Sequence, residues 1–235
     1  MELRLKCFDF DMKKESILLK ENDEMGFIGD DEDNANQRFK LELEGKNELI
    51  ILGLNPSTAR GKSSGYPNMI DDPTLKRAVE FSKRNWNWDK TITEFDGFLM
   101  LNVCAQSTSK PINLVVNDAL HEMNKKKIKK YLFVKNNISV LLAYGDNVSE
   151  KKLSFLKRYL GEIVEIFEKH EATFYHLGDL TKKGNPRHIK PQIISQLPIT
   201  AQLQLIENKF GKTVFDIAKG NGVSRKQDNK GVQNN

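Results

Sequence analysis

The sequence predicts an α/β protein, a three-layer α/β/α arrangement whose central, mainly four-stranded parallel sheet is covered by helices. Four short apolar runs with almost no alternation lie between residues 48 and 178, and each ends close to a Gly or an Asn. Charged stretches with helical spacing separate these runs. Continuous apolar runs indicate strands buried on both faces, and strands that alternate with helices indicate parallel pairing.

The predicted strands and helices follow one another along this part of the chain. The strands are LIILGL at 49–54, GFLMLNV at 97–103, ISVLLAYG at 138–145 and ATFYHLG at 172–178. The helices span residues 72–88, 114–134 and 149–170. The first helix has a clear start, because Asp72 can cap it and Pro73 suits the first helical position.

The chain divides into three predicted parts. Residues 1–47 form a β-rich extension with a small N-terminal β-hairpin, an acidic loop at 22–36 and the alternating strand RFKLELEG. Residues 48–218 form the α/β domain. The stretch 219–235 is rich in Gly, Asn and Lys, and we expect it to be a disordered tail.

The composition is that of a soluble protein, which we expect to be cytoplasmic. The mean hydropathy is −0.55, and no apolar run approaches the roughly 20 residues of a membrane span. The charged N-terminus does not resemble a secretory signal. Two cysteines and four scattered histidines lack metal-ligand spacing, so we expect no metal and no cofactor. The motifs of P-loop triphosphatases and dinucleotide enzymes do not occur in the sequence.

Formal charge is distributed unevenly along the chain. Residues 1–37 carry 11 acidic and 5 basic side chains, a net charge of −6, so the remainder carries +11. Such asymmetry is typical of a protein with a polyanionic partner. An ordinary lysine-rich surface would explain it equally well.

The residues that follow each predicted strand form the candidate site, because ligands of parallel sheets bind beyond the carboxyl ends of the strands. Asn55, Pro56 and Ser57 follow the first strand, and Asn102 ends the second. A side-chain amide offers both a donor and an acceptor, so two amides suit the edge of a nucleobase. A structural turn and an amide that satisfies backbone groups are the alternative explanations.

The connection after the fourth strand, at residues 177–191, is strongly basic. Its basic and titratable side chains are Lys182, Lys183, Arg187, His188 and Lys190. Such a loop suits phosphate binding, with His188 placed to meet a developing negative charge. A solvated histidine in a basic loop is the alternative.

Several stretches of the α/β domain resemble known families. LNPSTARG with DDPTLKRAVEFSKRNW, LMLNVCAQSTSKPINL, LLAYGD and HLGDLTKKGNPRHIKP resemble, over residues 48–195, the domain-of-unknown-function family numbered sixteen forty-three. GLNPS at 53–57 and NVCAQSTSKPINL at 102–114 are similar to motifs of the uracil-DNA glycosylase superfamily, above all its mismatch-specific uracil/thymine branch. GNPRHIKP stands in the place of that superfamily's last motif, a loop that inserts into DNA, but has Ile189 after the histidine.

The second resemblance implies the fold of that superfamily and a monofunctional DNA glycosylase that leaves an abasic site. Asn55 would orient the attacking water, and His188 would stabilise the departing base. The substrate would be held by Gly53, Leu54, Pro56, Ser57, Asp72 and Asn102, and the DNA by Lys182, Lys183, Asn185, Arg187 and Lys190. Asp72 has helix capping as its alternative role. The expected partner is double-stranded DNA with an extruded base, with no obligate protein partner and no membrane.

The identity of the base is open. A modified base of phage DNA is one candidate, because no bulky aromatic or apolar residue follows Pro56 before Tyr66 and the pocket would be roomy. Two other functions also stay open. The same fold and basic loop would serve a nucleic-acid-binding protein that does not cut, and the same amides would serve a hydrolase of free nucleosides or nucleotides.

Overall fold

The computed structural model describes the sheet, two helices and the connections between them. The described residues are 28–56, 74, 78, 95–177, 180–189 and 203–205. The predicted N-terminal hairpin and the predicted tail at 219–235 lie outside them. The predicted helix at 72–88 also lies outside, except for Thr74 and Ala78, which are helical.

In the described part of the chain, seven strands form one mixed sheet with the spatial order β1-β2-β4-β3-β5-β6-β7. They are β1 (Ile28–Gly29), β2 (Leu41–Leu43), β3 (Glu48–Gly53), β4 (Gly97–Asn102), β5 (Ser139–Leu142), β6 (Thr173–Leu177) and β7 (Leu203–Leu205). The inner strands β4, β3, β5 and β6 are parallel to one another. The outer strands β1, β2 and β7 are antiparallel to their neighbours.

The predicted α/β class is confirmed, but the sheet is mixed and wider than the sequence indicates. The four apolar runs form β3 to β6, close to their predicted bounds. The alternating stretch that contains β2 pairs with β4, with Leu41 opposite Met100. Leu41 and Leu43 are buried, whereas Glu42 between them is only partly so. A short strand with one polar face suits a position towards the side of a sheet, where one of its faces meets solvent. β2 accordingly extends the sheet next to β4.

Two α-helices, α1 (Asp118–Phe133) and α2 (Phe155–Lys169), pack on one face of the sheet. Asn117 begins α1 by accepting a hydrogen bond from the Leu120 N–H at 3.0 Å. Both helices begin later than predicted. A 3-10 turn at 111–113 is followed by an extended Leu114, and α1 begins only after its cap Asn117. The start of α2 is displaced by 3-10 turns at 146–149 and 151–153. Within the described ranges, no helix has the length and apolar character needed to cross a bilayer.

The sheet carries an apolar core on each face. Ile50 and Leu52 of β3 pack toward α1 and α2. Ile51, which lies between them, packs on the opposite face in a cluster that includes Met100 and the helical Ala78. Because consecutive strand residues point to opposite faces, this double burial explains the lack of alternation in the apolar runs.

The acidic segment at 30–33 lies against α1. The Asp30 carboxylate accepts hydrogen bonds from the Tyr131 hydroxyl and, at 2.9 Å, from Lys127 Nζ. Glu32 forms a second ion pair with Lys127 at 2.8 Å. Burial alone would raise the pKa of Asp30, but the bonds from Tyr131 and Lys127 outweigh it and lower that pKa. The acidic loop therefore neutralises a lysine of α1.

Candidate active site

Backbone hydrogen bonds tie the ends of the inner strands to one another. Beyond the last ladder pair of β3 and β4, Val103 N–H donates to Gly53 C=O at 2.9 Å and Cys104 N–H to Leu54 C=O at 2.8 Å. On the other side, Ala143 N–H donates to Leu52 C=O at 2.9 Å. The ends of β4, β3 and β5 thus form one rigid rim. We call this rim, with the connections 103–117, 143–154 and 180–189 that follow the inner strands, the carboxyl edge.

The side chain of Asn55 is fixed in one orientation at the centre of this rim. Asn55 Nδ2 donates to Pro56 C=O at 3.0 Å and to Thr108 C=O at 2.8 Å. Both partners are acceptors, so the nitrogen must face them and Oδ1 points elsewhere. Within the described residues, Oδ1 receives no hydrogen bond. The half-buried amide therefore presents an acceptor from a fixed position.

The second predicted amide, Asn102, lies beside Gly53. The two residues are register partners at the ends of β4 and β3, and a Cβ on Gly53 would lie 3.0 Å from Asn102 Oδ1. Asn102 is 2% exposed, and its Nδ2 has no hydrogen-bond partner. A buried donor without a partner costs about 1–3 kcal/mol, so this amide is an unused donor at the rim. Asn124 Nδ2 holds the Asn102 backbone carbonyl at 2.9 Å.

The basic connection after β6 is anchored to the end of β5. Asp146 Oδ1 accepts hydrogen bonds from Thr181 Oγ1 at 2.6 Å and from Asn185 Nδ2 at 2.8 Å. The Gly145 N–H donates to Pro186 C=O at 3.1 Å, and Gly145 itself has a φ of 69°. Asn185 is 0% exposed, so its side chain positions this loop. The expected DNA contact of Asn185 stays a prediction, and the bonds that the structure shows for its side chain are to Asp146 and Ser149.

This anchoring presents His188 beside the end of β5. Its Cβ lies 3.6 Å from the position that a Cβ on Gly145 would take, and the residue is exposed. The neighbouring Lys182 and Lys183 are exposed as well. Lys183 Nζ contacts Glu150 at 2.7 Å, and this hydrogen bond raises the pKa of Lys183. Arg187 is partly buried.

The structure brings Asn102, Asn55 and His188 to three neighbouring strand ends, those of β4, β3 and β5. Leu54 is part of the core, so its side chain does not face a ligand at this rim. Pro56 contributes its carbonyl, which accepts from Asn55 and from the Thr108 N–H at 3.0 Å. Three predicted site residues lie outside the described residues, namely Ser57, Asp72 and Lys190.

The two ends of the inner strands differ in charge. The described connections of the carboxyl edge hold six cationic side chains, Lys110, Lys151, Lys152, Lys182, Lys183 and Arg187. They hold two carboxylates, Asp146 and Glu150, and both are bonded within the edge. We call the opposite end the amino edge; a depression there is lined by Glu42, Glu44, Glu48 and Asp96 with Lys46 and Lys135. Among the described residues, the carboxyl edge is therefore the more positively charged of the two ends.

The side chains in the described part of this edge are suited to orienting a bound molecule and to stabilising negative charge. Burial raises the pKa of the Cys104 thiol, so this cysteine stays protonated and is a poor nucleophile. In the described ranges, no group of three or more His, Cys, Asp or Glu side chains is placed to hold a metal ion. Neutral amides and cations can direct a water, bind a base edge and stabilise an anion.

Sequence analysis missed three residues that build the site. Thr108 supplies the carbonyl that holds Asn55, Asp146 anchors the basic loop and Asn124 holds the end of β4. For Asp146 a signal was available, because it directly follows a strand and a glycine within the LLAYGD stretch. Thr108 acts through its backbone and Asn124 lies on a helix, so neither had a signal in the sequence.

Comparison with known proteins gives one match. A family model described as "Protein of unknown function (DUF1643)" matches residues 38–188. This range contains β2 to β6, both helices and nearly all of the carboxyl edge. No curated protein and no solved structure matches the chain.

Proposed function

We propose that this chain is a monofunctional DNA glycosylase. It belongs to the DUF1643 family of proteins of unknown function. It flips a mismatched or modified base out of a duplex, cleaves the N-glycosidic bond with water and leaves an abasic site. The observation that carries the proposal is the amide of Asn55. Two carbonyls hold its nitrogen, and within the described residues its oxygen is left as an acceptor at the basic carboxyl edge.

Asn55 would act on the attacking water. Cleavage of the N-glycosidic bond leaves positive charge on the sugar and the bonding electrons on the base. The water oxygen then bonds to the sugar carbon, and its proton passes to solvent or to the departing base. Asn55 Oδ1 accepts a hydrogen bond from this water and sets its direction of attack. A carboxamide is too weak a base to remove the proton, so the electrophilic sugar supplies the driving force.

The neighbouring strand ends would act on the base. Asn102 Nδ2 is buried without a partner, and a carbonyl or ring nitrogen of the extruded base would satisfy it. His188, on the other side of Asn55, donates to the negative charge that develops on the departing base. The site thus separates two tasks, with the water directed from β3 and the base held from β4 and β5.

The proposal includes the three-layer arrangement of the uracil-DNA glycosylase superfamily. The parallel inner strands support it, as does Ala78, which is helical and packs on the face opposite to α1 and α2. The proposed substrates extend to bulky modified bases of phage DNA, because no aromatic or large apolar residue follows Pro56 before Tyr66 in the sequence. On that substrate the protein would act in defence against phage.

Strand cleavage at abasic sites would measure this activity. The protein is incubated with duplexes that carry uracil, a G·T mismatch or glucosylated hydroxymethylcytosine, and with phage genomic DNA, and alkali then breaks each abasic site. We expect breaks in at least one substrate. If uracil is the only base released, the proposal that the pocket accepts bulky modified bases would be wrong. Binding without breaks would favour a non-cutting binding protein, and release of bases only from nucleosides would favour a nucleoside hydrolase.

The basic edge should set the salt dependence of DNA binding. Changing Lys182, Lys183 and Arg187 together to glutamine should lower the slope of log affinity against log salt by about 2 to 3, at about 0.9 per phosphate contact. Titrations at several salt concentrations measure this slope. The matched control changes Lys46, Lys129 and Lys130, which are exposed and lie outside the connections of the carboxyl edge, and should leave it unaltered. Equal losses in both variants would contradict the assignment.

A further inference from the structure

The acidic segment that lies against α1 is part of a tight turn beside the candidate site. The Asn34 N–H donates to Gln37 C=O at 2.9 Å, and the Asn36 N–H donates to Asn34 Oδ1 at 2.9 Å. We call residues 30–37 the acidic turn. The family model begins at residue 38, so the acidic turn lies outside the range that this model matches.

The carboxylate of Asp33 closes the acidic turn from inside. Asp33 Oδ1 accepts a hydrogen bond from the Phe39 N–H at 2.6 Å, and Oδ2 accepts one from the Asp30 N–H at 2.9 Å. Asp33 is 6% exposed, so water does not readily replace either bond. A side chain without acceptors at this position would leave two buried backbone donors without partners.

The acidic turn is also fixed to the core. The Asp30 carboxylate accepts hydrogen bonds from Lys127 and Tyr131 of α1. Ile128 and Leu132, on the same helix, are buried in the core between α1 and the sheet. The acidic turn therefore has a fixed place relative to the sheet, and it can support whatever is bonded to it.

The acidic turn pairs with the connection that follows β4, through an antiparallel bridge. The Arg38 N–H donates to Ala105 C=O at 2.9 Å, and the Ser107 N–H donates to Asn36 C=O at 2.8 Å. The acidic turn and the residue after it thus hold this connection from one side.

The same connection holds Asn55 on its other side. Thr108, which directly follows Ser107, accepts a hydrogen bond from Asn55 Nδ2 at 2.8 Å through its carbonyl. The Thr108 N–H donates to Pro56 C=O at 3.0 Å. If the connection moved away from the acidic turn, the Thr108 carbonyl would move as well, and the amide of Asn55 would follow it.

We propose that the acidic turn positions the amide of Asn55, and that Asp33 is the positioning residue on which this depends. By closing the turn, Asp33 fixes the connection after β4, and that connection sets the place of Asn55 Oδ1. This inference rests on the proposed glycosylase function, in which that oxygen orients the attacking water. A misplacement of about 1 Å at a reacting centre can slow a reaction by roughly a hundredfold.

Single-turnover excision at saturating duplex would test this role. Asp33→Ala should slow excision by about ten- to a hundredfold and leave the affinity for the duplex unchanged. Asp33→Asn removes the same charge but keeps one acceptor oxygen, so it should lose less. The matched control is Asp96→Ala, because Asp96 Oδ1 accepts the Asn47 N–H at 2.8 Å at the amino edge; it should excise at the wild-type rate. An Asp33→Ala variant that does so too would overturn the inference.

A double-mutant cycle separates positioning from general destabilisation. If Asp33 acts through Asn55, Asp33→Ala should cause almost no further loss of rate in a protein that already carries Asn55→Ala. All rates are measured well below the Tm of the least stable variant. Equal fold losses with and without the Asn55 side chain would overturn the inference, because the effect would then not pass through that amide.

Nuclear magnetic resonance needs no substrate, so it separates failure of this inference from failure of the proposed function. The side-chain amide signals of Asn55 are identified by their loss in Asn55→Ala. They should shift and exchange faster with water in Asp33→Ala, and stay in place in Asp96→Ala. If these signals respond but no base is excised by the wild type, the glycosylase function is wrong and the positioning stands. Unchanged signals in Asp33→Ala would overturn the positioning alone.

Discussion

Asn55→Ala is expected to slow base excision by roughly a hundred- to a thousandfold, the usual effect of losing one hydrogen bond that acts in the transition state. The variant loses the oxygen that, in the proposed reaction, orients the water. It also loses the two hydrogen bonds to Pro56 and Thr108, which should cost about 1–3 kcal/mol of stability. Single-turnover excision from a duplex, together with a thermal unfolding curve, measures both effects.

A second substitution at the same position separates the two roles of this amide. Asn55→Asp keeps an acceptor but removes the donor that holds Pro56 and Thr108. If Asn55 orients water, the aspartate variant should excise faster than the alanine variant although both lose the structural bonds. If the residue only fixes the turn, both variants should be equally slow. A rate for Asn55→Ala within tenfold of the wild type would refute the proposed role.

Gly97→Ala is expected to destabilise the protein by about 3 kcal/mol, at the upper end of overpacking costs. A Cβ on Gly97 would lie 2.5 Å from Leu43 C=O and 2.6 Å from Gly45 N. Both atoms are backbone, so β2 would have to separate from β4 to make room. For a chain of this size the change corresponds to a drop of roughly 6–12 °C in Tm, which calorimetry would record.

Gly53, at the carboxyl end of β3, supplies the control. A Cβ on Gly53 would meet Asn102 Oδ1 at 3.0 Å and otherwise only Leu101 C=O at 3.8 Å. Since a side-chain amide can move and a backbone cannot, Gly53→Ala should lower Tm much less. Equal losses of Tm in both variants would show that the pairing of β2 with β4 is not the strained contact.

The inner strands could be predicted because each is buried on both faces. Their apolar runs have no alternation, and β3 and β4 lie close to the predicted bounds. The outer strands were harder, because β1 has two residues and β2 and β7 have three each. The stretch around β2 does alternate, but β1 and β7 are too short to give a periodic signal, and the pairing of all three depends on distant parts of the chain.

The residue types of the candidate site could be predicted, but their contacts could not. Amides and cations after the strands were visible in the sequence. The sequence did not indicate that Asn185 is buried or that Asp146 bonds to Thr181, because these contacts join residues about 35 or more positions apart.

The unequal charges of the two edges bear on how the proposed glycosylase would meet DNA. In the described residues, the carboxyl edge has an excess of cations, whereas the depression at the amino edge is lined by four carboxylates and two lysines. Such a separation of charge gives these residues a dipole along the strands, and in the field of a phosphate backbone a dipole experiences a torque before contact. If the proposed function holds, the protein would arrive with its basic end leading, and a larger share of encounters would be productive. The search for a rare altered base would then be shortened at the stage of diffusion, before any base is tested.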